Sequence, residues 1–221
     1  MALDDTQVFL PELWASHARF RANKTAVVCG NERLTWNELN RACNRVANTL
    51  IAAGAGRPAK VALLMNNSVS TVVVMLGIVK AGACMVPISN MLTPVQVARM
   101  LVDSGASALF ACDATRGLAE SALEQIDDNL DRLLINAGEA VNAWQSLVAW
   151  SQLAEESEPK VRYDLGDDFN IIYSSGTTGA PKGIVQTHRA RQHWSYSNAL
   201  ELRMDHECIA LTTTSLYSNG T

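Results

Sequence analysis

No two cysteines in the chain are spaced as CxxC, and the five present, Cys29, Cys43, Cys84, Cys112 and Cys208, are odd in number and far apart. That pattern excludes a zinc knuckle and a redox dithiol. Their mostly apolar neighbours predict buried free thiols in a reducing cytosol. An excess of positive charge is also missing, since 18 Lys and Arg face 22 Asp and Glu for a net charge of -4. A broad basic field for non-specific nucleic-acid binding is therefore absent. The most apolar stretch, Thr71 to Ile88, is broken by Lys80 and Pro87 and preceded by Asn66 and Asn67. It is too short and too interrupted to span a bilayer. The opening MALDDTQ is acidic where a signal peptide is basic, and no apolar h-region follows. A soluble, cytoplasmic protein is expected. Internal repeats and low-complexity tracts are lacking too. Aromatics make up only 6% of residues, and Trp14, Trp36, Trp144, Trp150 and Trp194 are assigned to packing rather than substrate stacking.

What is present is a globular composition. The 221 residues are 48% hydrophobic and 18% charged, enough for one large domain or two modest ones. Helical and strand-like segments alternate, which predicts α/β architecture with a mostly parallel sheet flanked by helices. A first helix is expected over Val8–Arg21, with Pro11 tolerated in its opening turn. A hairpin follows, Thr25–Cys29 and Arg33–Thr35 around Gly30-Asn31. Thr35 and Glu38 have the spacing of a capping box. Behind them Leu39, Ala42, Cys43, Val46, Ala47, Leu50 and Ile51 line one face of a helix that stops near Gly54. Val61–Met65 reads as a strand, Ser68–Lys80 as a helix ended by Gly82, and Cys84–Ile88 as a strand. Thr93-Pro94 starts a helix ending at Gly105, and Ala108–Cys112 is a further strand. Leu118–Ile126 is expected to be helical, Leu133–Ile135 a strand and Val141–Trp150 a helix.

The charged, aperiodic stretch Glu155–Lys160, EESEPK, is the candidate surface linker. It divides a first lobe, residues 1–160, from the start of a second, residues 161–221, which is expected to begin a second sheet. Beyond it Phe169–Tyr173 is a short apolar strand, Ile184–Gln186 another, His188–Leu202 a helix and Cys208–Thr213 a last strand.

Between Phe169–Tyr173 and Ile184–Gln186 lies Ser174–Gly183, SSGTTGAPKG. A polyphosphate needs many short donors and a compensating cation. Gly176, Gly179 and Gly183 permit positive φ, so that successive amides can turn toward one anion. Ser174, Ser175, Thr177 and Thr178 add hydroxyl donors, Lys182 adds charge, and Pro181 limits collapse of the empty loop. The segment follows a strand end, a favoured ligand position in α/β sheets. It is not a Walker A loop, because Pro181 precedes Lys182 and Gly183 follows it where that motif has Gly and Ser or Thr. Composition alone leaves two readings, a phosphate cradle and a flexible surface loop. His188, Arg189, Arg191 and His193 form a basic cluster just beyond. It reads either as a device that raises local ATP concentration or as the solvated face of a helix.

The string Tyr173-Ser-Ser-Gly-Thr-Thr-Gly-Ala-Pro-Lys-Gly183, with His188 five residues on, resembles the signature phosphate loop of the adenylate-forming superfamily. That superfamily includes acyl-CoA synthetases, non-ribosomal peptide synthetase adenylation domains and beetle luciferases. Leu34–Asn40 resembles its "TYxELN" segment, Lys80–Ile88 its "KAGAxxVPL" strand and Met91–Pro94 its next helix start. The resemblance covers almost the whole chain, and the chain covers less than half of the family's usual length.

The resemblance implies that a carboxylate attacks the α-phosphorus of Mg·ATP, giving acyl-AMP and pyrophosphate, with a thiol then displacing AMP. The thiol is CoA in acyl-CoA ligases and a carrier-protein thiol in peptide synthetases. It implies phosphate contacts from Ser174, Ser175, Gly176, Thr177, Thr178 and Lys182, with Lys182 the catalytic cation and Gly179 and Gly183 as hinges. The tail Thr213–Gly220 resembles the "PLxHxxG" acyl-pocket segment, with Ser215 where Pro is expected and Ser218 near the usual His. Tyr217 is its candidate acid-pocket residue. The family's adenine, ribose and Mg²⁺ motifs and its C-terminal catalytic lysine correspond to sequence beyond Thr221. No metal ligand is therefore assigned, and the chain alone is expected to be an inactive N-terminal part. The leading expectation is an acyl- or aryl-CoA ligase using ATP, Mg²⁺ and CoA. Its alternatives are an amino-acid adenylation domain and a non-catalytic phosphate- or partner-binding module. A sheet cut at this point exposes apolar surface, which predicts association with itself or another chain.

Overall fold

The computed structural model describes residues 7–127, 130–174 and 182–218. Helix α1 (Leu10–Phe20) carries Pro11 in its first turn, and the Glu12 carboxylate caps it by accepting from the Phe9 amide at 2.7 Å. A separate antiparallel pair, β1 (Thr25–Cys29) and β2 (Glu32–Thr35), turns at Gly30 and Asn31. Helix α2 (Trp36–Ala52) begins at the expected capping box: Thr35 Oγ1 accepts from the Glu38 amide and Glu38 accepts from the Thr35 amide. Leu39, Cys43, Val46, Ala47 and Leu50 are its buried stripe, while Ile51 at the edge of that stripe stays exposed.

The main sheet then forms in βα units. They run β3 (Lys60–Leu64), α3 (Val69–Lys80), β4 (Cys84–Pro87), α4 (Pro94–Ser104), β5 (Ala108–Ala111), α5 (Asp113–Leu123) and β6 (Leu133–Asn136). The chain closes with β7 (Gln145–Ser146), α6 (Leu147–Ser151), β8 (Asp168–Ser174), β9 (Lys182–Thr187) and α7 (His188–Glu201). The seven strands are ordered β7-β6-β5-β3-β4-β8-β9, all parallel except β9. This is the α/β architecture expected from the alternating pattern.

Strand periodicity sorts side chains onto two faces. Val61, Leu63, Phe110, Ile135 and Phe169 pack with α2 and α3, whereas Ala62, Leu64, Leu109 and Ile171 pack with α4 and α5. Close packing has a visible requirement at Gly77, where a Cβ would stand 2.7 Å from Val46 Cγ1 across the α2–α3 contact. Helix α4 starts on Thr93 and Pro94 and ends on Gly105, whose φ of 63° explains the glycine. No helix among the described residues is long and apolar enough to cross a membrane.

Three elements differ from expectation. Helix α5 begins at Asp113, five residues before Leu118, because Cys112 caps it through an amide that donates to Thr115 Oγ1, and Gly117 is tolerated inside it. Residues 141–150 are not one helix. Val141 and Trp144 exchange backbone hydrogen bonds in a tight turn that buries Trp144. The two-residue β7 then pairs with β6 before the short α6 begins. Cys208–Thr213 is not a strand, since no ladder partner lies beside it among the described residues and Ile209 and Leu211 face solvent. Two of the thiols also break the buried pattern, as Cys29 and Cys208 are exposed. Cys43 and Cys84 are buried as expected, and burial pushes each thiol up to about 12.

The stretch Glu155–Lys160 does lie at the surface, but it is tied down rather than free. Glu156 pairs with Arg41 and Arg45, and Asn48 Nδ2 donates to the Glu155 and Ser157 carbonyls. Beyond it β8 pairs with β4, so strands from both sides of this stretch share one sheet.

Candidate phosphate-binding site

Strand β8 runs parallel to β4, so its end at Ser174 emerges at the edge where β3, β4, β5 and β6 also finish. Phe169 and Ile171 enter opposite cores although they are two residues apart, because the β8–β9 register shifts between Asp168 and Asn170 and interrupts the alternation. Strand β9 returns antiparallel, and its register sets Tyr173 opposite Gly183 and Ser174 opposite Lys182. The two ends of the predicted phosphate loop are thus ladder partners. Ser174 and Lys182 are both exposed at this neck, and Lys182 has no ion-pair partner among the described residues. Ser175, Gly176, Thr177, Thr178 and Gly179, the remaining predicted phosphate contacts, lie outside the described residues, as does Pro181.

Gly183 is explained differently from the sequence reading. It sits in β9 without a positive φ. What requires glycine there is space: a Cβ would stand 3.1 Å from Ile171 Cγ2 and 3.2 Å from Tyr173 Cε1 and Cζ. The Tyr173 ring covers it. The Tyr173 hydroxyl reaches α4, donating to Asp103 Oδ2 at 2.6 Å and lying 3.3 Å from the Met100 carbonyl. Burial, then the Asp103 carboxylate, push the phenol well above its ordinary range.

Tyr217 comes to the same edge of the sheet. Asn67, just past β3, holds residues 214–216 by donating to the Thr214 carbonyl at 3.0 Å and accepting from the Leu216 amide at 2.9 Å. Tyr217 Oη then lies 3.5 Å from Met91 Sδ beyond β4, and hydrogen bonds with Ser89 and then Ser215 lower its pKa.

The basic cluster separates on folding. Arg189 and His193 are exposed on α7, as a solvated face requires. His188 is 2% exposed, with its ring 5.1 Å from Phe169, 5.5 Å from Tyr163 and 5.7 Å from Phe9. Arg191 lies over the rings of Phe169 and Trp194. His188 follows β9 at the end remote from Lys182 and anchors the start of α7. Desolvation lowers its pKa despite Asp167 nearby, which raises it, while Arg57 lowers it further. A base whose folded pKa is depressed contributes stability that is full above its unfolded value and is lost as pH falls through the folded one. Thermal melts of wild type are therefore expected to drop below about pH 6.5. His188→Phe is expected to flatten that acid limb, and an unchanged limb would contradict the assignment.

Sequence reasoning missed Asp103, the aromatic group around His188 and the buried Lys80. For Lys80 a signal existed, a lone cation inside an apolar run; for Asp103 none did, because its partner is remote in sequence. Among the described residues no group of three His, Cys, Asp or Glu could hold a metal ion.

Comparison with known proteins identifies the frame around this loop. The profile of the family described as AMP-binding enzyme matches residues 13–217. The long-chain-fatty-acid–CoA ligase FadD13 of Mycobacterium tuberculosis is 32% identical over 199 residues, covering 84% of this chain and 38% of that protein. Bacitracin synthase 1 of Bacillus licheniformis is 31% identical over 179 residues, covering 81% of this chain and 3% of that protein. The crystal structure of the N-terminal domain of FACL13 from Mycobacterium tuberculosis superposes with a TM-score of 0.73 at 29% identity, over 86% of this chain and 48% of that one. The chain spans less than half the length of each of these relatives. With a phosphate-loop motif at the end of a parallel strand and a family match over most of its length, the chain belongs to the AMP-binding, adenylate-forming enzyme superfamily.

Proposed function

We propose that the chain is the ATP-phosphate-binding part of an acyl-CoA ligase. Such an enzyme activates a carboxylic acid as acyl-adenylate and passes it to CoA. The observation that carries this reading is the Ser174–Lys182 pairing, which sets a hydroxyl donor opposite an exposed ammonium that has no ion-pair partner among the described residues, at the C-terminal edge of the sheet. Backbone amides, hydroxyls and Lys182 would hold the β- and γ-phosphates while the carboxylate attacks the α-phosphorus. Charge on the departing pyrophosphate would fall on Lys182. Residues 1–160 are assigned to the first lobe and 161–221 to the start of the second. Tyr217, beside Ser89 and Met91 at the same edge, would border the acid. Mg²⁺ would accompany the ATP phosphates at this site. CoA is preferred as acceptor because FadD13 is named as a CoA ligase. Bacitracin synthase 1, at similar identity, keeps an amino-acid adenylation domain as the second reading. Strand β9 ends the sheet with Ile184 and Val185 about half exposed, which supports association through that edge.

The test is carboxylate-dependent ATP–pyrophosphate exchange by protein carrying this chain, with fatty, aromatic and amino acids. Thioester formation is then measured with CoA or with a pantetheinylated carrier protein. Exchange with fatty or aromatic acids and transfer to CoA are expected. Exchange confined to an amino acid would select the second reading, and none with any acid would reject both.

A further inference from the structure

We propose that Tyr173 and Asp103 form a latch that sets the position of the phosphate loop, making both positioning residues for ATP; the proposal rests on the phosphate-site reading above. Strand β8 is paired to β4 through Met85 and Asn170, three residues before Tyr173. Past that pairing, β9 is the ladder neighbour of the end of β8, and among the described residues no further strand lies beyond β9. Strand β9 is backed by packing from α4 and α7 rather than by a further strand. The Tyr173–Asp103 hydrogen bond ties the β8 side of the neck to α4 as well, and at 2.6 Å it is a short bond to a carboxylate acceptor.

Two further observations favour a purpose at the neck. Asp103 lies in the last turn of α4, where a carboxylate faces the negative end of the helix dipole, so local helix energetics do not explain it. The Tyr173 ring also forms the wall against Gly183, so one side chain touches α4 through its hydroxyl and β9 through its face. Moving the ring moves both roots of the loop.

The latch can be read without ligand by amide hydrogen exchange, and with ligand by titrating ATP into the same protein. Tyr173→Phe and Asp103→Ala are each expected to speed exchange at Ser174, Lys182 and Gly183 by about tenfold, the factor that follows from losing one charge-assisted hydrogen bond. Exchange in β3 and β5 should not change. Asp103→Asn keeps an acceptor and should restore most of the protection, and the double variant should be no worse than either single one. ATP affinity should fall by about the same factor in Tyr173→Phe and Asp103→Ala and recover in Asp103→Asn. Unchanged neck exchange would overturn the latch. Faster exchange with wild-type ATP affinity would overturn its positioning role. Lys182→Ala is the control: if carboxylate-dependent ATP–pyrophosphate exchange is indifferent to it, the phosphate-site reading falls and takes the positioning role with it.

Discussion

Lys182→Ala is expected to slow acyl-adenylate formation by about 10²–10³-fold, the loss typical of removing one preorganised group that stabilises transition-state charge. The fold should stay intact. Lys182 is the only cation between Tyr173 and Gly183, and it is the first residue of β9, paired to Ser174 and free of any carboxylate among the described residues. Its side chain is exposed, so truncation leaves no cavity and no orphaned charge. Adenylation adds negative charge to the leaving pyrophosphate as the α-phosphorus bond breaks, so a cation at the β- and γ-phosphates acts mainly in the transition state. The defect should therefore fall more on kcat than on the apparent KM for ATP. Lys182→Arg keeps the charge but changes a point donor into a planar fork, so partial activity is expected. The measurement is carboxylate-dependent ATP–pyrophosphate exchange alongside circular dichroism. Exchange at the wild-type rate with an intact fold would remove Lys182 from the site.

Local signals carried most of the fold into the sequence. The Thr35–Glu38 box, the Thr93-Pro94 start and the Gly105 stop each depend on neighbours within four residues, and each lies where the pattern puts it. The Phe169–Tyr173 strand was legible for the same reason, whereas Lys182, read as part of the loop, is the first residue of β9. What failed depended on remote partners. Trp144 satisfies a helical spacing equally well by turning into the core, and only the β6 edge decides that Gln145 and Ser146 become a strand. Ile209 and Leu211 have strand-like composition, but a strand needs a neighbour to pair with. His188 looked like one member of a basic cluster. Phe9, Tyr163 and Phe169, which surround it, come from three other segments of the chain. At the loop, glycine at position 183 was readable, while its cause was a ring across the ladder rather than backbone freedom.

The second large effect is expected where Glu155–Lys160 crosses α2 and α3, and it should depend on which partner is removed. Lys80 is 1% exposed at the end of α3, with Nζ 2.8 Å from Glu158 Oε2 and 2.5 Å from Asn40 Oδ1. Glu158 also accepts from Asn40 Nδ2 at 2.6 Å and from Asn44 Nδ2 at 3.2 Å. Glu158→Ala would strand a buried ammonium on one amide oxygen. Losing one partner of a fully buried pair costs about 3–5 kcal/mol, and the half-exposed Glu158 reduces that to about 2 kcal/mol through solvent screening. For a chain of this length that corresponds to about 4–8 °C in Tm. Lys80→Met, which removes the charge and keeps the packing, should cost much less, because Glu158 can turn to water. Burial would raise the Glu158 pKa, but Lys80 and Asn40 hold it below the ordinary value. Its contribution is thus full above the unfolded carboxylate pKa and is lost as pH falls through the folded one. Glu158→Gln should accordingly be least different from wild type in strong acid and most different near neutrality. Melts of the three variants across pH decide the matter, and equal losses for Glu158→Ala and Lys80→Met would show that packing, rather than the stranded charge, sets the cost.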